Sequence, residues 1–583
     1  MLNNNISELN TTLPYIKFGD DVDSIFTFLE KAQLKRKNLW KTLVEQFITQ
    51  PDSKDGGWRG EFWGKLMRGA SVVYSYTKDA KLYEILHQTV DDLLATQDEY
   101  GRISSYKKEK EFFCWDMWSR KYVMLGLEFY YDICLDQKQK ERIVSALIKH
   151  ADYIIDNVNV DKIPVNRTSS IWGCVNSYSI LQPFVKLFKL TGDDKYKKYA
   201  IHLIKDQDAE GMNLFERAYQ DQIAPYQYSV TKAYEVMSCF EGLLEFYEIS
   251  GEQKCLDAVT KFVDAILRTD YTIVGGTGCR HELLDNSTVR QVIHDPIEMQ
   301  ETCVTVTLMK LLTNLYKHTK NSAYFDAIER SFYNIYVGAI NKDHYVNHQP
   351  VVLSYSPILH NPRGKEVGGK KKITKSTFYG CCISIASVGL IALTNLSAFY
   401  NNGELTLNFF GDATYSFDTD KGALEFTVSG DYPNANTVNI NFTKVPSGLK
   451  LKLRKPDWCK DYKLSCSGCL SDGYIVIDKE INAGDTITYT FDMPYQLVSS
   501  LTVNPNVDYR TALVKGPIVY ACDNYPTDDV LDFDFDNISV TKIDDKQFAL
   551  ALKDGKQIIM KKYCDSGKDN FLRQCINIWL RCK

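Results

Sequence analysis

Asn401-Asn402-Gly403-Glu404-Leu405-Thr406-Leu407-Asn408-Phe409 is the stretch on which the reading of the fold turns. Before it, apolar residues recur at helical spacing. From Leu405, Leu407 and Phe409 onward they alternate. A strand turns successive side chains to opposite faces, so a period of two reads as a half-buried strand. The alternation returns in Val438, Ile440 and Phe442, in Leu449, Leu451 and Leu453, and in Ile487, Tyr489 and Phe491. Turns rich in Gly, Asp and Asn separate these runs, which predicts a β-sandwich region. The end of the chain, from Leu513 to Tyr520 and beyond, reads as a further strand cluster or as a return to the first domain.

The first ~380 residues read as helices. Val236, Phe240, Leu243, Leu244 and Tyr247 make one buried stripe. Similar turns recur in Ser75-Tyr76-Thr77-Lys78-Asp79, Leu190-Thr191-Gly192-Asp193-Asp194, Ile249-Ser250-Gly251-Glu252-Gln253 and His318-Thr319-Lys320-Asn321-Ser322. Asp132-Ile133-Cys134-Leu135-Asp136 is a degenerate copy. Their spacing, roughly 55 to 70 residues, is that of a helical hairpin with its connections and exceeds common solenoid repeats. Such hairpins close into a ring of inner and outer helices or stack as an open solenoid, and both readings stand at this stage. The chain is thus expected to be α+β and multidomain, with a helical domain over 1–395 and a β-sandwich region of one or two small domains over 396–583.

At 583 residues the chain exceeds one ordinary core, in line with that division. Its net charge of -5 gives no argument for a nucleic-acid partner or a membrane surface. Met1-Leu2-Asn3-Asn4-Asn5 lacks the basic and apolar regions of a secretory signal, and no apolar run is long enough to span a bilayer. A cytoplasmic protein with reduced cysteines is expected. The basic run from Arg363 to Lys375, with Gly364, Gly368 and Gly369, reads as a mobile surface loop.

Reduced thiols point to metal binding or catalysis rather than to a disulfide framework. Cys381 and Cys382 are adjacent, about eighty residues after Glu301-Thr302-Cys303. A bridge between neighbouring cysteines fits disulfide geometry poorly. Inert burial in the core is the plain reading of any cysteine. Three thiols and a carboxylate are also a full ligand set for tetrahedral zinc. Residues i and i+2 diverge on a helix, so Glu301 and Cys303 can meet only at a helix start or in an extended segment. Val304, Leu308, Leu311 and Leu312 form a helix stripe beginning there. Cys466 and Cys469, with Cys459 upstream, offer a second thiol pair at a turn but lack the further pair of a complete zinc site. Six of the eight tryptophans, Trp40, Trp58, Trp63, Trp115, Trp118 and Trp172, fall in the first 172 residues, as core packing or as walls of a sugar cleft.

Six segments together resemble the glycoside hydrolase family 127 and 146 superfamily, founded on β-L-arabinofuranosidases. They are Gly275-Gly276-Thr277-Gly278 followed by Glu282; Glu301-Thr302-Cys303; Gly380-Cys381-Cys382; Leu453-Arg454-Lys455-Pro456-Asp457-Trp458; Ala483-Gly484-Asp485 with Met493-Pro494; and Lys515-Gly516-Pro517-Ile518-Val519-Tyr520. Trp115-Asp116-Met117-Trp118 and Ser179-Ile180-Leu181 match in style. The resemblance implies an (α/α)6 barrel followed by β-sandwich domains. It also implies Zn2+ held by Glu301, Cys303, Cys381 and Cys382, with Cys381 as nucleophile and Glu282 as general acid/base. Retaining glycosidases need a nucleophile on one side of the anomeric carbon and a proton donor on the other.

The chain departs from the family around the acid. The gap between Gly278 and Glu301 does not match the arabinofuranosidases without an insertion, and Asp285, Asp295 and Glu298 compete with Glu282. Cys279 and His281 read as turn residues. Candidate sugar contacts are Trp118, Arg120, Lys121, Ser177, Lys232 and Tyr355. Where the arabinofuranosidases have histidines, this chain has Arg120 or Lys121, Ser177 and Lys232. Such cations suit a carboxylate-bearing sugar. The expected function is a retaining, exo-acting hydrolase of a short oligosaccharide or small glycoside, either an L-arabinoside or a different, acidic sugar. The alternative is a carbohydrate-binding or scaffold protein that keeps the fold without turnover. Hydrolysis by a metal-bound water is disfavoured, because four protein ligands leave no open position.

Overall fold

The computed structural model describes residues 11–53, 56–293, 299–342, 351–365, 368–501, 509–525 and 529–582. Its helical half is an (α/α)6 barrel. The inner helices are Glu61–Thr77, Asp116–Ile133, Leu181–Thr191, Ala233–Ser250 and Thr302–Thr319. The sixth inner place is filled by Cys381–Ile385, Ala386–Leu390 and Ile391–Leu396, laid end to end. This last segment packs on both Thr302–Thr319 and Glu61–Thr77, so the ring closes and the open solenoid is excluded.

Helix position in the ring sets the burial pattern. The outer helix Ala80–Leu94 buries one stripe, Leu82, Ile85, Leu86, Thr89, Val90 and Leu93, as an amphipathic helix on a core should. The inner helix Ala233–Ser250 is instead buried on all sides from Ala233 to Phe246. The single stripe expected there is therefore corrected, because this helix has neighbours all round. The recurrent turns join each inner helix to its outer partner. Lys78, Gly192, Gly251 and Lys320 end their helices in the left-handed region. Asp79, Asp193 and Asn321 then cap the next helix, each accepting a backbone N–H at 2.8–3.1 Å. The degenerate copy differs as its sequence does: Cys134 is extended, and only the cap at Asp136 remains.

The strands beyond Leu396, with three from earlier in the chain, form two six-stranded sheets and a third, nine-stranded one among the described residues. Leu405, Leu407, Val438, Ile440, Phe442, Ile487, Tyr489 and Phe491 are all buried, as the alternation requires. Two short strands from the start of the chain complete the first two sheets. Thr11–Thr12 pairs with Ala398–Asn401, and Tyr15–Phe18 pairs with Ala413–Thr419. The chain end does both things allowed for it. Arg510–Lys515 and Ile518–Asp523 lie in the third sheet, while Cys575–Asn577 returns to pair with Leu359–Pro362 beside the barrel. One continuous core runs from the helices into the sandwich, and the third sheet has its own around Leu513, Tyr520, Phe548 and Met560. No helix among the described residues is long and apolar enough to cross a membrane.

The basic run is not a free surface loop. Arg363 is fully buried, donating to Ser566 O at 2.7 Å and to Tyr563 O, and Lys370–Lys372 pairs with Phe378–Gly380 as a hairpin. Glu366 and Val367 lie outside the described residues.

Arg454 ties barrel to sandwich. Its fully buried guanidinium meets Asp326 and, at 2.8 Å, Glu329, both on the outer helix Ser322–Ser331. Its Nε donates to Asn408 O at 2.8 Å. Arg454→Ala should lower the free energy of unfolding by about 3–5 kcal/mol, because the buried Glu329 and the half-buried Asp326 lose their cation. Chemical denaturation followed by circular dichroism measures this, and an unchanged midpoint would remove Arg454 as a structural tie.

Candidate active site

The inner helices starting at Glu61, Asp116, Ala233, Thr302 and Cys381 all open at one end of the barrel. Their first turns surround a pocket of about 300 Å³. Glu61, Lys65, Trp118, Tyr234, Glu301 and Cys381 line it from these turns, and Trp58, Trp172, Lys232 and Glu282 line it from the loops.

Four side chains of metal-ligating type meet here. Met299–Glu301 is a strand, and the helix Thr302–Thr319 begins at the next residue. Glu301 is the extended N-cap (φ -80°, ψ 133°), and Thr302 is pinned by its N–H to Ser354 O at 2.9 Å. The switch from strand to helix at this point turns the Glu301 carboxylate and the Cys303 thiol inward together. Gly380 is likewise extended, and Cys381 and Cys382 open the next helix. Glu301 Oε1 lies 3.6 Å from Cys381 Sγ and 3.4 Å from Cys382 Sγ, and the two sulfurs are 3.9 Å apart. One ligand atom from each of Glu301, Cys303, Cys381 and Cys382 lies within 4.8 Å of the others, and all four residues are buried.

The donor set fits a tetrahedral ion. Zinc–sulfur bonds of about 2.3 Å would put ligand atoms roughly 3.5–3.8 Å apart, close to the separations found. Glu301 Oε2 is buried and has no hydrogen-bond partner among the described residues. Hydrogen bonds from Cys303 and Cys382 hold the Cys381 thiol well below its usual value. Burial drives Cys303 and Cys382 well above theirs. Burial and then the Cys381 thiolate push Glu301 up to about 8. Burial works against the charge of Lys65, but Cys303, at 4.0 Å, and Glu61, at 3.3 Å, keep it protonated.

Glu282 faces the thiols' pocket from a turn. Its Oε1 accepts the Tyr355 hydroxyl at 3.0 Å, and its Oε2 pairs with Lys232 Nζ. Backbone bonds on both sides of this pair, Ala233 N to Glu282 O and Leu284 N to Thr231 O, both 2.8 Å, fix the two segments together. Asp285 is taken up by its own turn. It accepts Arg280 N at 2.8 Å and Ser287 Oγ at 2.5 Å and is not part of the pocket wall. Asp295, Glu298 and the His281 side chain lie outside the described residues. Cys279 is buried against Ser287.

The remaining sequence candidates divide. Trp118, Lys232 and Tyr355 are at the site. Arg120, Lys121 and Ser177 are not, which corrects the expectation of sugar contacts there. On the helix Asp116–Ile133, Trp118 faces the pocket. Arg120 is rotated away to Asp116 at 2.9 Å and Glu111 at 2.8 Å. Lys121 lies beside the Trp118 ring at 4.3 Å, and Ser177 is fully buried outside the wall. The remaining cation, Lys232, is already paired with Glu282. Cys459, Cys466 and Cys469 join no metal-type cluster among the described residues.

Sequence reasoning missed Glu61, Lys65, Tyr234, Glu235 and Gly369. Glu61 accepts the Trp118 indole N–H, and burial pushes its carboxyl up to about 7. Glu61 and Lys65 stand four apart beside Phe62, Trp63 and Leu66, and charges among such residues were the available signal. Gly369 sits in the basic hairpin with φ +64°, and its O accepts Cys381 N–H at 3.1 Å. A Cβ on it would come within 2.3 Å of Cys381 Sγ. The hairpin thus roofs the thiol with the one residue that has no side chain.

A family model described as the β-L-arabinofuranosidase GH127 catalytic domain matches residues 9–384, and one described as the GH127 middle domain matches residues 404–493. Among solved structures, the GH127 β-arabinofuranosidase BT3674 is similar at 18% identity and TM-score 0.73, with 98% of each chain covered. A GH127 β-L-arabinofuranosidase from Geobacillus stearothermophilus T6 is similar at 15% identity and TM-score 0.74, covering 97% of this chain and 100% of its own. No curated protein matches.

Metal analysis is expected to find about one divalent ion per chain, and Cys303→Ser to lose it. Gly369→Ala should slow turnover by about tenfold or more, a barrier change of about 1.4 kcal/mol, by displacing the Cys381 sulfur. A Gly369→Ala enzyme of full activity would show that the hairpin does not set the thiol's position.

Proposed function

The chain belongs to glycoside hydrolase family 127, and from that premise we propose that it is a retaining, exo-acting hydrolase of β-L-arabinofuranoside-like, uncharged sugars, with Cys381 as nucleophile and Glu282 as acid/base. The observation that carries this reading is the placement of Cys381 and Glu282 on one small pocket, with Cys381 inside the four-donor cluster. Zinc suits a set of three thiolates and a carboxylate and, when bound, supplies the positive charge that keeps the cysteine sulfur ionised.

Cys381 Sγ attacks the anomeric carbon, and the bond from that carbon to the leaving oxygen breaks. Glu282, in its protonated form, gives its proton to that oxygen. Glu282, then a carboxylate, takes a proton from water, whose oxygen displaces the sulfur. Two displacements leave the anomeric configuration unchanged. Tyr355 and Lys232 hold one oxygen each of the Glu282 carboxyl, which orients it across the pocket. Trp118 and Trp172 offer flat faces to the sugar, and Glu61 and Glu235 offer acceptors for its hydroxyls. The pocket's small volume favours the end of a sugar chain over its middle. Residues 1–395 would form the catalytic unit and 396–583 the β region, with the strands at 11–18 crossing between them. All sixteen cysteines are free, which suits the reducing cytoplasm.

Cys381→Ser should abolish hydrolysis of aryl β-L-arabinofuranosides, and a sugar-like electrophile should label wild type but not the variant in intact-mass spectra. Turnover that survives Cys381→Ser would exclude it as nucleophile. Glu282→Gln should cost about 10²–10⁴ in kcat, with the larger loss on substrates whose leaving group needs a proton. Lys232→Ala should lower kcat more than it raises KM, because it frees the carboxyl rather than a sugar contact; a pure KM effect would return Lys232 to substrate binding.

A further inference from the structure

Three of the six segments that carry the family resemblance build the thiol pocket. Residues from the other three, far apart in sequence, also meet. Trp458, Met493, Pro494 and Gly516 line a separate cavity of about 320 Å³. It lies where the barrel, the sandwich and the third sheet come together. Tyr271 and Arg330 face it from the barrel side, and Gln496 and Trp579 from the third sheet and the chain end. It shares no lining residue with the thiol pocket. Junctions between domains are where small-molecule sites tend to form, and volumes of roughly 300–1,000 Å³ are usual for them.

The wall is tightly built. Gly516 has φ +55°, and a Cβ there would approach Met493 Sδ to 2.5 Å and Trp458 Cζ2 to 3.5 Å. The positive φ strains any side chain here, and one would also crowd Met493. Gln291 is spent on holding the wall: its Oε1 accepts Ile273 N–H at 2.9 Å and its Nε2 donates to Thr288 O at 2.9 Å. Arg330 Nη1 donates to Ile273 O at 3.3 Å.

The lining chemistry selects a ligand class. Among the described residues the lining holds no carboxylate. Two indoles and a phenol provide apolar faces with polar rims. A guanidinium and the Gln496 amide provide hydrogen-bond donors, and the amide also an acceptor. Flat C–H surfaces edged by hydroxyls match that combination. We propose that this cavity is a second, non-catalytic saccharide site, which binds a neutral sugar ring of the glycan whose end is cut in the thiol pocket. The kind of sugar rests on the glycosidase reading; the site itself rests on the cavity. A glycan long enough to reach both sites would gain effective concentration at the catalytic pocket.

The test uses L-arabinose and arabino-oligosaccharides with the full-length enzyme. Crystals soaked in L-arabinose should show a ring against the Trp458 indole. Gln496→Ala, a half-buried position whose loss leaves the fold intact, and Trp458→Ala should each weaken that binding by about tenfold, or 1.4 kcal/mol. Both should raise KM for an oligosaccharide while leaving kcat, and hydrolysis of a small aryl glycoside, unchanged. Sugar found only in the thiol pocket, or a Gln496→Ala enzyme with unaltered L-arabinose binding and unaltered oligosaccharide KM, would overturn the proposal. A protein that holds sugar at Trp458 yet cleaves no glycoside would end the glycosidase reading and support this one.

Discussion

A carboxylate and three thiols packed within a few ångströms of one another, away from water, are an electrostatic problem before they are a catalytic device. Burying like charges costs several kcal/mol per ion unless a cation neutralises them. Much around the pocket answers this constraint. Helix starts converge on the cluster with their positive ends, Lys65 is held charged against Cys303 and Glu61, and the strand-to-helix step at Glu301 brings in the fourth donor. A divalent ion held by Glu301, Cys303, Cys381 and Cys382 would complete the balance that these features begin.

The barrel supplies the geometry that a linear motif cannot. Glu301 and Cys303 are neighbours in sequence, but Cys381 and Cys382 arrive only because the ring closes between the last inner helix and the first. Ring closure and metal-type site are therefore one construction. The basic hairpin then covers the Cys381 sulfur through Gly369, and Tyr355 links the strand beside Glu301 to the Glu282 carboxyl.

Much of this was legible in the sequence because it depends on local period and spacing. The change from helix to strand at Asn401-Asn402-Gly403, the capped turns and the divergence of residues i and i+2 at Glu301 all follow from backbone geometry. What was not legible depends on rotation about a helix axis or on distant partners. Arg120 follows Trp118 by two residues, and a turn of roughly 100° per residue carries it off the pocket wall, while Lys121, on the same face as Trp118, lies a turn further along and fully buried against its ring. Glu61 and Lys65 look like an ordinary surface pair until the ring encloses them. The lysine-rich run looks solvated until Trp58 is placed 4.1 Å beneath Lys371. Strand pairing of residues 11–18 across the whole helical domain leaves no local trace at all.

That last pairing has a consequence for biogenesis. Thr11 hydrogen-bonds beside Asn401, and Phe18 beside Ala413, so each edge must wait for about 390 residues of translation before its partner strand exists. During that interval Phe18, which ends in a ring stack with Phe26 and Tyr76, has no sheet to join. The nascent barrel therefore leaves the ribosome with an unmatched strand at its rim, exposed to chaperones and to neighbouring chains until the sandwich emerges.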